Sequence, residues 1–473
     1  MMDNKQPSLK KSLSFISMIS IASGAVIGGW LAEAPTWFGM TGAGAALIFP
    51  VLALCLIPVG LIFAELTGML PFAGSVDVWA TNAFGHKVGF TTQWMMFLVQ
   101  VVEPAMMAFI FITAAGHFFP ALEIPPMIQM FIAIGTALIW YVISNFNIDI
   151  LGKLANIFFF AMVAMSLIVS CSLYFSGHWN IANLTAVSEE GAKEGLTGGL
   201  FPMGFGGIFL AMAAFSLKFI GFEMTPSMIE ETTFPRSKMW KVILSALIVP
   251  ALLYLVVVFA IGGMAPYDTI AAMSMPEPEL VAMYNLMPIL GYIAVISGVL
   301  HAFTTLMGFW TSSARVLYGA AEMNQLPKAF SKVNKHGQPV LSNTVVFLFT
   351  VFFCIFTAHS ENSWVNFVYA MSNVAAGFVY FMCCLSFLVL RFKHPEWNRP
   401  YKVPCATLLS ILGMLISLWV IIGSCMMMDM GGWIAFIIFC AVGIAMYIGM
   451  SFYRKKKGIE LKNFTPDDIK DEE

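Results

Sequence analysis

Apolar residues come in long blocks along almost the whole chain, with short polar stretches between them. The blocks fall near 14–38, 43–68, 88–116, 127–146, 152–175, 203–228, 241–265, 285–315, 341–358, 363–391, 405–428 and 431–453. An apolar block of about 20 residues crosses the hydrocarbon core of a bilayer as a helix. The pattern therefore predicts an all-α polytopic membrane protein with twelve transmembrane helices. Several blocks exceed the minimum, which permits tilt but fixes no angle. The first block follows a polar start, Met1 to Lys11, and runs past Gly29 towards Phe38. That is longer than the apolar core of a signal peptide, so a retained membrane helix is expected.

Two blocks are interrupted. The first carries Gly24-Ala25-Val26-Ile27-Gly28-Gly29, and the sixth carries Phe219-Ile220-Gly221-Phe222-Glu223. Glycine is a poor helix former, and a carboxylate inside a membrane segment is costly and marks function. Helices broken at such places expose backbone groups that face a ligand, and two of them in corresponding halves point to a transporter site. The expected organisation is a cytoplasmic tail (1–13), a five-helix repeat (14–175), an inverted second repeat (203–391), helices 11 and 12 (405–453) and a polar, mobile tail (454–473). The longest polar connection within the bundle, Arg315 to Pro339, has room for a short amphipathic helix.

Composition agrees with this pattern. Of 473 residues 59% are apolar and 11% charged, against about 25% charged in soluble domains. The net charge of −2 argues against a nucleic-acid partner, and the eight cysteines show no metal-ligand spacing. No activated nucleophile is visible, so neither an enzyme nor a cofactor is expected. With the N-terminus inside, all of the 24 Lys and Arg except Lys193 and Lys218 fall in cytoplasmic segments or helix ends. The outer loops are acidic. This bias predicts both termini in the cytoplasm and a multi-pass protein of the cell (inner) membrane, with membrane lipid as its surroundings.

Four patches of sequence resemble the amino acid-polyamine-organocation (APC) transporters. Gly24 to Pro35 is similar to the family's G-x-x-I-G-x-G-I-F-x-x-P. Ala64-Glu65-Leu66, Pro71 to Gly74 and Ala83-Phe84-Gly85 resemble its A-E-L, P-x-x-G and A-F-G run. Phe219 to Glu223 with Glu230-Glu231 and Phe234-Pro235-Arg236 resembles G-F-E and E-E-x-x-x-P-x-R. Arg315 to Ala321 and Gln325 to Phe330 resemble R-x-L-Y-x-x-A and L-P-x-x-F. The resemblance implies a 5+5 inverted repeat with broken helices 1 and 6, and secondary transport of amino acids by proton symport or exchange. Two departures stand out. Trp30 replaces the second glycine of G-x-G. Phe158 to Met162 holds none of the helix 5 lysine that many members carry.

An amino acid brings a carboxylate and an ammonium, and both need partners where water is scarce. Backbone N–H groups between Ser23 and Trp30 (Gly24, Ala25, Ile27, Gly28 and Gly29 among them) suit the carboxylate, because helix N-termini attract anions. Carbonyls around Phe219, Ile220 and Gly221 suit the ammonium. The bland alternative is that these glycines are only a close-packing face. Glu223 is the candidate for proton coupling, or else a structural carboxylate paired with Lys218 or with helix 1 backbone. Glu103 can bind a cationic side chain, or be satisfied locally at a Glu103-Pro104 kink. His301 can relay a proton, or sit neutral against a carbonyl. Lys218 can neutralise Glu223, meet an anionic substrate or replace the missing helix 5 cation. Glu33 is expected to reach the outer interface, and Glu65 to be structural. Arg315 either closes an inner gate with Glu230-Glu231 or anchors the cytoplasmic side, and Phe219 and Trp30 are expected as site walls.

Amino acids coupled to H+ or to exchange are thus one expectation. A polyamine or other organic cation is the alternative, towards which Trp30 and Glu103 lean. A channel would want rings of charged pore residues and a sensor a long soluble extension; the sequence shows neither.

Overall fold

The computed structural model describes residues 9–27, 29–118, 124–146, 148–358 and 364–469. Among these there is no strand, only an isolated bridge between Leu13 and Thr232. Ten helical stretches are long and apolar enough to cross a membrane, and Phe15–Val26 and Val340–Ile355 are shorter apolar helices.

The first crossing is split into α1a (Phe15–Val26) and α1b (Trp30–Thr41). After it come α2 (Ala45–Met69), a third crossing in two pieces, α3a (His86–Val101) and α3b (Glu103–Phe118), then α4 (Pro126–Ser144) and α5 (Ile148–Tyr174). The sixth is split into α6a (Gly204–Phe215) and α6b (Phe222–Glu231). The remainder are α7 (Met239–Gly262), α8 (Ile289–Glu322), α9 (Val340–Ala358), α10 (Trp364–Lys393), α11 (Ala406–Met427) and α12 (Met430–Lys457).

Local chemistry sets the ends. Ser14 caps α1a by accepting the Ser17 N–H at 3.1 Å, and Asp429 caps α12 by accepting the Gly432 N–H at 2.7 Å. Such side chains satisfy the orphan donors of a first turn. At its other end α12 gathers Arg454 to Lys457 and stops at Gly458 in the left-handed region, where cations and a glycine suit the carbonyl end of a helix. Pro104 lacks the N–H that would continue the ladder, and the third crossing breaks one residue before Glu103.

The halves of crossings 1 and 6 lie at the centre, against α8, α7, α5 and α2. The Ser12 and Leu13 N–H groups donate to Glu231 O at 2.8 and 2.9 Å, so α1a starts where α6b ends. The two crossings run antiparallel. The same face holds the last turn of α12 and residues 458–469; it is called the termini face below. The helices at the rim leave apolar side chains exposed, Ile157 and Phe160 on α5 and Ile434 and Ile437 on α12 among them, as lipid-facing residues do. α12 is the most weakly enclosed, with only Gly432, Phe439, Gly443, Met450 and Arg454 buried.

Two expectations change. The polar tail is not loose: after Gly458 it turns back across the termini face, where Phe464 stacks on Phe72 at 4.7 Å, its carbonyl accepts from Asn82 at 2.9 Å, and Lys462 N–H donates to Met323 O at 3.2 Å. The apolar Phe464 gives a polar segment a place to dock. Between Arg315 and Pro339, α8 itself continues to Glu322, and the connection holds one tight turn, Lys328–Ser331.

Candidate functional site: two nested helix breaks

The end of α1a leaves carbonyls without partners inside the bundle, and hydroxyls from two other helices meet them. Thr304 Oγ1 lies 2.9 Å from Gly24 O, Thr305 Oγ1 3.3 Å from Ala25 O, and Tyr254 Oη donates to Val26 O at 3.0 Å. The chain then turns through Ile27 and Gly29; Gly28 lies outside the described residues. Gly29 has φ +81°, and a Cβ there would come within 1.9 Å of the Glu33 carboxylate. Only glycine fits such a position.

In crossing 6 the α-helix tightens over Ser216–Phe219, opens at Ile220 and Gly221, and resumes as ten residues of 3₁₀-helix with Pro226 inside. Runs of 3₁₀ longer than 3–4 residues are uncommon and mark strain or a hinge. Gly221 has φ +138°, and a Cβ on it would meet Val26 Cγ2 at 2.8 Å. The two breaks are nested. Glu223 folds back so that its oxygens accept the Gly221 N–H at 2.8 and 3.0 Å, while the Tyr380 hydroxyl donates to Oε2 at 3.1 Å. Its side chain is fully buried.

Lys218 therefore does not pair with Glu223. Its Nζ stands 2.8 and 2.6 Å from the Glu33 oxygens, with both side chains buried. Glu33 was expected near the outer interface; the break at Ile27–Gly29 instead starts α1b midway through the bundle, so a residue in its first turn reaches the core. Glu103, at the start of α3b, lies in the field of Lys218, Glu33 and Glu223. With Lys218, Ala25, Ile220, Thr305 and Phe309 it lines a cavity of about 10 Å³, barely enough for one water. Among the described residues its carboxyl has no hydrogen-bond partner.

The remaining candidates lie around this centre. Ser23 and Gly24 are buried on α1a, with Gly24 against Thr304. Phe219 is buried edge-on to Tyr254 at 6.5 Å. Trp30 is buried, with His301 packed on its ring at 4.1 Å, and its indole N–H donates to Glu277 at 3.2 Å. His301 Nε2 lies 3.5 Å from Ser297 Oγ, and Nδ1 has no partner among the described residues. Glu277 belongs to a short helix, Pro276–Met283, in the connection between α7 and α8. Burial pushes its carboxyl up to about 7 against the pull of the Trp30 indole. This contact closes the side of the breaks away from the termini face.

On the termini side Arg315 grips Glu231 through Nε at 3.0 Å and Nη2 at 2.7 Å, and Nη2 also donates to Gln338. Glu230 instead accepts the Ala73 N–H at 2.8 Å. Gly319 meets Gly74 so closely that a Cβ would come within 2.3 Å of its Cα. Glu65 has the structural place expected of it, paired with Arg391 at 2.8 Å and Arg399 at 3.1 Å. The breaks are enclosed from both sides.

The sequence reading missed Tyr254, Thr304, Thr305, Tyr380 and Glu277. One signal was present for α8: Ser297, His301, Thr304, Thr305, Gly308, Ser312 and Arg315 recur at intervals of three and four, a polar stripe on one helix face. For Tyr254 and Tyr380, single polar tips in apolar helices, there was none.

Membrane-length helices packed around two interrupted ones, with charges of both signs buried where the breaks meet, are the architecture of a transporter. The family model described as amino acid permease matches residues 13–447. The chain belongs to the amino acid permease family. It is 23% identical over 447 residues to the branched-chain amino acid permease of Bacillus subtilis (strain 168), covering 93% of each chain. The gamma-aminobutyric acid permease of the same organism is 25% identical over 442 residues, covering 88% of this chain and 89% of that one. Its methylthioribose transporter is 24% identical over 478 residues, covering 94% of each.

Proposed function

We propose that this permease moves α-amino acids by alternating access, and that Lys218 and Glu33 are the groups that meet the two charges of the substrate. The observation carrying this reading is the buried Lys218–Glu33 pair at the nested breaks. A substrate carboxylate takes the place of Glu33 beside Lys218 and the first N–H groups of α1b, where the end of a helix favours an anion. Its ammonium takes the place of Lys218 beside Glu33. The pair thus keeps each buried charge compensated when no substrate is bound, since an unpaired charge there is costly.

Glu103 is assigned the exchangeable proton, because its carboxyl opens into the cavity. Glu223 is assigned to holding the α6 break, because the Gly221 N–H and Tyr380 occupy it. Trp30 with Glu277, and Arg315 with Glu231, act as the outer and inner seals. The positive-inside bias supports a cytoplasmic termini face and insertion in the cell membrane. The two five-helix units, 14–175 and 203–391, are read as inverted repeats on the antiparallel course of crossings 1 and 6.

Counterflow in proteoliposomes tests the substrate class: one labelled amino acid is challenged with amino acids and their decarboxylated amines. Competition that needs the α-carboxylate supports the reading, and competition by amines alone replaces it with organic-cation transport. For the proton, Glu103→Gln is expected to flatten the pH dependence of uptake and Glu223→Gln to keep it. The reverse result exchanges their roles.

A further inference from the structure

A second cavity lies away from the breaks. It is a groove of about 500 Å³ between α3a and α12, within the size range of small-molecule sites. We infer that this groove is a binding site for one acidic phospholipid, its phosphate held by Lys87 and Lys455 and its acyl chain laid along Trp94 and Tyr447.

The lining is ordered along the helices as a phospholipid is ordered from head to tail. Lys87 is the second residue of α3a and Lys455 lies in the last turn of α12, so both ammonium groups are at the termini-face end. One turn deeper each has a hydroxyl residue on the same helix face, Thr91 and Ser451. Deeper still the walls are aromatic and aliphatic, with Trp94, Tyr447 and Ile444. The outer edge opens where Ile444, Ile448 and Phe452 are exposed, towards the surface that faces lipid.

Charge decides the class of lipid. The groove has two lysines and no acidic lining residue, and among the described residues neither lysine is in an ion pair. A zwitterionic headgroup would bring its own ammonium against two others, whereas an acidic headgroup brings only the phosphate they complement. Basic pockets between membrane helices select acidic lipids on this principle. The groove is also built into the contact it would reinforce. The Trp94 indole donates to Phe439 O of α12 at 2.9 Å, and a Cβ at Gly443 would meet that indole at 2.3 Å. α12 thus touches α3a closely at Gly443 and again where the Phe90 and Tyr447 rings stand 5.0 Å apart, and the groove lies alongside these contacts. A lipid there adds contacts to the least enclosed helix of the bundle.

The inference is independent of the substrate assignment and is tested without transport. Native mass spectrometry of the purified full chain, given equal phosphatidylglycerol and phosphatidylcholine of the same acyl chains, should show one phosphatidylglycerol retained in at least five-fold preference. Lys87→Gln with Lys455→Gln should abolish that preference. Because both side chains are exposed, these changes leave the fold intact. Lys332→Gln with Lys335→Gln, elsewhere on the same face, should keep it. Equal retention of the two lipids, or preference unchanged in the Lys87/Lys455 variant, overturns the inference. So does a dimer whose contact shields Cys440 in the groove, since a second copy of the chain would then be the occupant.

Discussion

At the scale of single residues, Gly29, Glu33 and Lys218 make one device. The left-handed turn at Gly29 brings Glu33 back over the break, and Lys218 completes a pair shielded from water. Gly29→Ala meets both obstacles, a backbone conformation that costs about 1–2 kcal/mol for a side chain and a collision with Glu33. It is expected to abolish counterflow. Removing one member of a buried pair costs about 3–5 kcal/mol, and removing both costs far less. Thermal unfolding in detergent should therefore place Glu33→Gln and Lys218→Met well below the parent, with the double variant above either single one. Equal, additive losses would mean that the two side chains do not depend on each other. Little of this device was legible in sequence. Gly29 and Lys218 stood out as a glycine in an apolar run and a charge in a membrane segment. Glu33 was misplaced because its depth depends on where the helix restarts, which composition does not fix.

At the scale of elements the sequence was far more informative. Apolar runs located the crossings seen among the described residues, because a membrane helix must be apolar over most of its length. Glycines located both breaks, and Glu103-Pro104 located the kink in the third crossing. The form of α6b was not legible: its ten residues of 3₁₀-helix follow from packing against α2, α7 and α8, which no local propensity records. Glu223 fastens the start of that helix to Tyr380 of α10. Tyr380→Phe should cost roughly 1 kcal/mol, as the loss of one buried hydrogen bond does, and should leave the pH profile of uptake unchanged. A shifted profile would mean that Glu223 exchanges its proton during transport. At the other end of α6b, Arg315 holds Glu231 by two parallel contacts that a lysine cannot reproduce. Arg315→Lys should expose cysteines introduced near the breaks to reagents from the termini face. Unchanged labelling would remove Arg315–Glu231 from the inner seal.

At the scale of the whole molecule, closure is distributed. Trp30 with Glu277 lies on one side of the breaks and Arg315 with Glu231 on the other, with the tail docked over the latter face. Loop charges differ in sign along the sequence, but the return of the tail depends on one stack, Phe464 on Phe72, that polar composition concealed. The same face carries a pH response. Asp77, in the connection between α2 and α3a, is buried, which pushes its carboxyl up to about 7 against the donors Gln325 and Thr81. An unfolded aspartate titrates near 3.9, so between about 4 and 7 the folded chain binds the extra proton. Stability contributed by this group is present at low pH and falls as pH rises through that window. Asp77→Asn should lessen the fall in melting temperature between pH 5 and pH 8; a fall as steep as the parent's would place its origin elsewhere.

In the proposed cycle Lys218 and Glu33 stand in for, and then receive, the two charges of an amino acid. The most direct measurement is counterflow of a labelled α-amino acid by parent, Lys218→Met and Glu33→Gln proteins, each challenged with the amino acid and with its decarboxylated amine. Lys218→Met is expected to lose its preference for the carboxylate-bearing competitor, while Glu33→Gln, lacking the partner of the substrate ammonium, is expected to be competed far more weakly by the amino acid and still not by the amine. Unaltered selectivity in both variants, with transport retained, would contradict this cycle.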